Sequence, residues 1–394
     1  KTAKANISHK NENFDAKLGV TRVDTDGFSA ISPDKSSDAK KYEKDGYENT
    51  TANLKLGYNF NENNRLSTSY EVIDTKVNFD STPPDDKISE ANTLTHLANL
   101  TYENRNDIAL TKVYTNYTEI KRDSKSSSGT SNFRGKVKEY GLNTSIDYLN
   151  SSNVTMGADY KKFENKANLN KDYNNKGIFI SNTNKFFDDK TIFTQALRYD
   201  RYSNFENKTT GKIGIKQYII DDLNISSNYG TGYNVPNLYQ LHDVRAGNDT
   251  LQPEKTKSYD ISIAYEGFSV TYFNTKIKDL IDYNYATWTY DQMSGTSKLK
   301  GTEIAYKNEV IEDIFLNLSY TNLSAKDAKG DKLLNRPKNK FNFGVDYYGL
   351  KDFHFNVNGE YIGSRESVNY LSSTQKTKTG NYTIWNAVVD YDIS

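Results

Sequence analysis

Asn53-Leu54-Lys55-Leu56-Gly57-Tyr58-Asn59-Phe60 carries an apolar side chain at every second position, with Asn53, Lys55, Gly57 and Asn59 between. Successive side chains of an extended strand point to opposite faces, so this run has one greasy face and one polar face. A polar turn, Asn61-Glu62-Asn63-Asn64, follows, and alternation resumes from Arg65 toward Asp80. The pattern returns late in the chain. Ile314, Leu316, Leu318 and Tyr320 alternate with Phe315, Asn317 and Ser319, and Phe341, Phe343, Val345 and Tyr347 with Asn342, Gly344 and Asp346. Phe353, Phe355, Val357 and Tyr361 then share a face opposite His354, Asn356, Asn358 and Glu360.

Alternation alone fits a soluble sandwich as well as a barrel with lipid outside and water within. Run length separates them. Sandwich strands average about 5–6 residues, whereas a tilted strand crossing hydrocarbon needs about 9–11; the runs at 51–60 and 65–80 reach that length. Punctuation is asymmetric too. Short turns at 61–64, 150–153 and 266–267 alternate with long polar stretches at 32–44, 81–89, 123–131, 164–175 and 234–250. Short turns on one rim and long loops on the other characterise outer-membrane barrels. The prediction is an all-β fold, a transmembrane antiparallel β-barrel with about 19 strands present. Closed bacterial barrels usually have an even number. The expected organisation is therefore one barrel domain over residues 1–394, truncated at both ends: Lys1 opens in a strand-like run, and the run from Tyr382 to Tyr391 stops just before Ser394.

Composition agrees. Of 394 residues only 35% are hydrophobic, yet 31 are Tyr and 18 Phe, so the apolar surface consists largely of rings that tolerate a wet edge. No run of 18 or more apolar residues offers a membrane helix. The 51 basic and 51 acidic residues cancel, which speaks against nucleic acid as a partner. Absence of cysteine removes disulfide scaffolds and thiolate sites. His9, His96, His242 and His354 are scattered, and no metalloprotease, nucleophile-elbow or phosphate-loop motif occurs, so an enzyme is not expected. The start, Lys1-Thr2-Ala3-Lys4, lacks the apolar core of an export signal.

The stretch Tyr229-Gly230-Thr231-Gly232-Tyr233-Asn234-Val235-Pro236-Asn237-Leu238 leads to Gly247-Asn248-Asp249-Thr250-Leu251-Gln252-Pro253-Glu254-Lys255. Lys278-Asp279-Leu280-Ile281-Asp282-Tyr283, Lys300-Gly301-Thr302-Glu303 and Leu334-Asn335-Arg336-Pro337 follow in order. This series resembles the late barrel of TonB-dependent outer-membrane receptors, most closely from Leu223 to Tyr391, and within that family the cobalamin-transporting branch. The resemblance implies a barrel of about 22 strands around a plug, with the plug absent from this chain. It also implies a bacterial outer-membrane location, contact with outer-membrane lipid, and energy from the TonB–ExbB–ExbD system acting through the plug. The implied activity is uptake of a large, scarce nutrient: a cobalamin-like corrinoid first, an iron chelate (ferric siderophore) or haem next. A passive porin or adhesin barrel is the rival class.

Acidic residues stand beside aromatics in the early loops: Asp24 and Asp26 before Gly27-Phe28, Asp45-Gly46-Tyr47, Phe79-Asp80 and Asp85-Asp86. Oxygen-rich clusters of this kind suit Ca²⁺, which takes six to eight oxygens in flexible geometry. The resemblance to the cobalamin branch implies calcium on Asp45, Asp80 and Asp86, with Asp85 an alternative to Asp86. Most of the aromatic rings belong to the girdle, and a few in the loops, Phe79 first, are expected to stack against the substrate. Solvated loop charge is the competing reading.

Overall fold

The computed structural model describes residues 1–29, 43–80, 88–127, 129–149, 151–167, 169–369 and 372–392. The first strands are β1 (Thr2–Lys10), β2 (Phe14–Thr25), β3 (Tyr47–Asn61), β4 (Asn64–Asn78), β5 (Glu90–Arg105), β6 (Ala109–Ser126) and β7 (Gly129–Tyr148). Next come β8 (Ser152–Asn165), β9 (Lys171–Phe186), β10 (Thr191–Tyr202), β11 (Lys208–Tyr218) and β12 (Asn224–Asn234). A short helix, α1 (Leu238–His242), precedes β13 (Glu254–Tyr265), β14 (Phe268–Asn284), β15 (Thr289–Ile311) and β16 (Ile314–Lys326). The chain closes with β17 (Asn339–Leu350), β18 (Phe353–Ile362), β19 (Arg365–Asn369), β20 (Ser372–Thr379) and β21 (Tyr382–Tyr391). All but β19 and β20 belong to one 19-stranded sheet, which matches the expected count; the other two form a separate hairpin.

The strands divide into two compact units. One holds residues 1–148, 154–180 and 199–207, the other 149–153, 181–198 and 208–394. In the first, β1 to β7 pair antiparallel in chain order. Register aligns Phe14, Tyr58, Leu66, Tyr102, Val113 and Leu142 in one row across six strands. A row on the opposite face reads Asn59, Arg65, Glu103, Lys112 and Asn143. There the Arg65 guanidinium reaches Asp15 at 2.7 Å and Lys112 reaches Glu103 at 2.8 Å. Gly57 makes room for that arginine, since a Cβ at Gly57 would lie 2.1 Å from Arg65 Nη2.

The second unit repeats the arrangement from β11 to β18. Ile225, Ile263, Val270, Ile304, Tyr320, Phe341 and Tyr361 form one row. The neighbouring row on the other face runs Lys216, Ser226, Ser262, Thr271, Glu303, Thr321 and Lys340. β18 then pairs with β21, so the β19–β20 hairpin rises from the 363–381 connection outside the ladder.

A sheet one strand thick cannot bury its greasy face against itself. Ile213, Ile215, Ile261 and Ile263 are each 46–50% exposed, and Leu142 is 48% exposed. In water such a continuous apolar wall would aggregate; in a bilayer it is solvated by lipid. No helix among the described residues is long and apolar enough to cross a membrane.

The short connections are built on asparagine. Asn11, Asn61 and Asn106 each accept from backbone N–H groups two or three residues ahead, at 2.7–3.1 Å, holding the reversals at 11–13, 62–63 and 106–108. Two of the expected long loops differ. Residues 123–131 are mostly strand, with only 127–128 between β6 and β7, and 164–175 shrinks to 166–170. Their polarity marks strands that run on past the apolar band into solvent, held by pairs such as Arg134 with Asp123 at 2.8 Å. The third, 234–250, contains α1 and buries Leu238, Leu241 and Ala246.

Candidate functional site

Strand pairing assembles the early acidic cluster. Thr25 faces Tyr47, Tyr47 faces Val77, and Asn78 faces Glu90, so the loop ends beyond β2, β3, β4 and β5 emerge side by side. Backbone bonds then stitch them: Asp45 N donates to Phe28 O at 3.4 Å, Asn78 N to Gly46 O at 2.9 Å, and Phe79 N to Ser89 O at 3.1 Å. Carboxylate oxygens of Glu43, Asp45 and Asp80 lie within 4.8 Å of one another, and all three residues are half-buried. The Ser29 hydroxyl donates to Asp80 Oδ2 at 3.1 Å.

Two of the predicted residues, Asp45 and Asp80, thus meet. Asp86, with its alternative Asp85, lies outside the described residues. Asp24 and Asp26 are engaged elsewhere, with Arg22 at 3.9 Å and with Lys44 at 3.6 Å. Phe79 adjoins the trio in sequence and is half-buried. Glu43 was missed from the sequence; a carboxylate two residues before Asp45, on the same approach to β3, was the available signal.

Like charges this close repel, by about 4 kcal/mol per pair at 4 Å in an effective dielectric of about 20. A cation held among the three would relieve that repulsion. The donors are all oxygen and their positions rest on loops rather than strands, which fits the hard, flexible coordination of calcium and not a soft metal. Gly27 sets the approach: its φ is +68°, and a Cβ there would lie 1.9 Å from the Asp45 carbonyl oxygen. Gly27→Ala is expected to displace the Asp45 loop at a cost of roughly 1–3 kcal/mol, read as new protease cleavage within residues 26–46 of the folded protein.

The stretch that carries the family resemblance is structural. Asn237 caps α1 in a reciprocal box with Gln240, at 2.9 Å each way. Pro236 and Leu251 are almost fully buried. The 235–253 loop is fastened to the β14–β15 hairpin: Tyr290 N donates to Ala246 O at 2.9 Å, and Asn248 Nδ2 to Tyr290 O at 3.0 Å. Gln292 Nε2 donates to the carbonyls of Gln252 at 2.6 Å and Asp279 at 2.8 Å. Glu254 Oε1 accepts from Ile281 N at 2.7 Å, beside the bulge where Asp279 has φ +60°. Tyr239 packs edge-on to Tyr290 at 6.2 Å, and burial pushes its hydroxyl above the ordinary phenol range, the nearby Asp243 adding to the shift.

Beside this anchored loop, still within the second unit, is a cavity of about 660 Å³. Tyr283, Tyr285, Met293 and Leu333 supply apolar walls, with Lys329 and Lys376 among its charged residues. Two histidines have structural surroundings: His96 stacks on Tyr70 at 6.1 Å, and His354 lies between Asp346 at 2.8 Å and Asp390 at 3.1 Å.

The family model for the TonB dependent receptor-like β-barrel matches residues 4–394. The chain belongs to that family. It is a family of outer-membrane receptor and transporter barrels, and with it the fold is that of a transmembrane antiparallel barrel wall. Among curated relatives, the vitamin B12 transporter BtuB of Vibrio cholerae serotype O1 is 27% identical over 210 residues, or 52% of this chain. The match spans about a third of that relative's length, 34%. Among solved structures, the siderophore receptor PirA of Acinetobacter baumannii superposes with a TM-score of 0.83 at 15% identity, over 100% of this chain and 71% of that one. A mutant of the ferric enterobactin receptor PfeA of Pseudomonas aeruginosa gives a TM-score of 0.82 at 13% identity, over 100% and 70%. At such identities these two likenesses speak for the fold alone.

Proposed function

We propose that this receptor barrel forms the wall of an outer-membrane active transporter for a large, scarce nutrient, a cobalamin-like corrinoid, and that TonB–ExbB–ExbD energises it through a plug domain. The observation that carries the corrinoid reading is the Glu43, Asp45 and Asp80 trio next to Phe79. On this reading calcium bridges the β2–β3 and β4–β5 loops and holds Phe79 for stacking on a flat, partly apolar ligand. The relative that is a vitamin B12 transporter supports the same substrate class.

A second reading, a ferric siderophore, draws on the cavity in the late loops, whose lining sets Tyr283 and Tyr285 among three lysines and four aspartates. Titration of refolded full-length receptor separates the two. Nanomolar binding of cyanocobalamin that weakens when calcium is chelated supports the corrinoid; tight binding of a ferric catecholate, indifferent to chelation, replaces it with the siderophore.

A further inference from the structure

In the first unit the lipid-facing side changes chemistry over one alternation step. On β7 that face reads Leu142, Tyr140, then Lys138 and Lys136; on β8 it reads Met156, Ala158, Tyr160, then Lys162 and Glu164. Tyr140 and Tyr160 stack with ring centroids 6.5 Å apart, marking the edge of the apolar band, where amphipathic rings meet headgroups.

Beyond that edge cations are in excess. Glu164, only 6% exposed, is shared by Lys138 at 3.4 Å, Lys162 at 3.5 Å and Lys166 at 3.2 Å; Asp172 lies 3.3 Å from Lys162, and Glu119 is shared by Lys136 at 3.1 Å and Lys121 at 3.6 Å. On the same face of β2 to β5 the ion pairs are balanced or acidic: Arg22 meets Glu48 and Asp24, and Lys76 meets Glu90 at 3.3 Å. Just below the cations the wall is indented. A groove of about 560 Å³ runs between Tyr140, Leu142, Ala158, Tyr160, Ile178 and Tyr199, and Lys176 and Arg201 also line it. Among the described residues neither of those two cations has an ion-pair partner.

We infer that this sector binds one lipid of the surrounding leaflet through a phosphate-bearing headgroup, with an acyl chain in the groove and the phosphate between Lys176 and Arg201. An apolar groove open to the bilayer is filled by a hydrocarbon chain, and Lys and Arg at headgroup depth have lipid phosphate as their abundant counter-charge. Lys138, Lys162 and Lys166, held upright by Glu164, extend the positive field around the headgroup. The bound lipid belongs to the barrel wall and is independent of which nutrient is carried.

The test uses full-length receptor in detergent, titrated with dioctanoyl phosphatidic acid or with dioctanoylglycerol, which has the same chains and no phosphate, and bound lipid is counted by native mass spectrometry. Wild type is expected to favour phosphatidic acid by tenfold or more. The doubly neutral variant, Lys176→Gln with Arg201→Gln, should lose about thirtyfold in phosphatidic acid affinity, near 1 kcal/mol per cation, while its binding of the phosphate-free dioctanoylglycerol stays unchanged. Ala158→Trp, which fills the groove, should weaken both lipids. Equal binding of the two lipids by wild type overturns the inference, and that comparison needs no variant to fold. So does a preference that survives in the neutral variant, or complete displacement of the lipid by millimolar inorganic phosphate, which would mean an anion site without a chain groove.

Discussion

Replacing Asp45 and Asp80 together by asparagine is expected to lower cobalamin affinity by about tenfold to a hundredfold, the range of a coupling energy of roughly 1–3 kcal/mol. Both amides keep an oxygen in place but remove the charge that draws a divalent ion, and they leave Glu43 without its two like-charged neighbours at 4.8 Å or less. With that repulsion removed the loops should close in the apo state more readily than before, yet lose the ion that locks them. Calorimetry with calcium buffered at 1 mM and again with excess chelator distinguishes this from a folding defect. Wild type should lose the same factor on chelation, and the double variant should be insensitive to calcium. Full affinity in the double variant would remove calcium from the reading and favour the iron chelate.

Ile261→Arg is expected to be the most damaging single change to the wall. Ile261 is 50% exposed on the face that meets lipid, and it lies between Tyr259 and Tyr265 along β13. A guanidinium at such a depth costs roughly 2–4 kcal/mol in a bilayer barrel. Ser262→Arg, one residue on, points to the polar face, where Thr271 bonds the Ser262 hydroxyl at 2.9 Å, and should cost less than about 1 kcal/mol. Urea unfolding in lipid vesicles measures both. Equal costs would mean that the two faces have been assigned wrongly.

What could be read in advance followed from side-chain alternation. The last strand, Tyr382–Tyr391, coincides with its run because Trp385, Ala387, Val389 and Tyr391 hold one face at every second position. β6 and β7 were under-measured because Lys121 to Ser131 is polar, and polarity cannot tell a turn from a strand that continues into water. β19 and β20 went unseen for a related reason: Arg365-Glu366-Ser367-Val368-Asn369 offers no second apolar position to set a period. Proximity was the hardest inference. Asp45 and Asp80 are far apart in sequence and meet only through the Thr25, Tyr47 and Val77 register, which also brings in Glu43. The ordered motifs around Pro236 and Pro253 identified the family, whereas their physical task, fastening a loop to β14 and β15, needed the hydrogen bonds.

The β19–β20 hairpin stands apart from the ladder, since ten residue pairs join β18 directly to β21 beneath it. Residues 364–380 can therefore diverge, lengthen or be exchanged between related receptors while the wall keeps its register. Sequence change confined to that hairpin leaves the ten β18–β21 pairs, and with them the continuity of the wall, as they are.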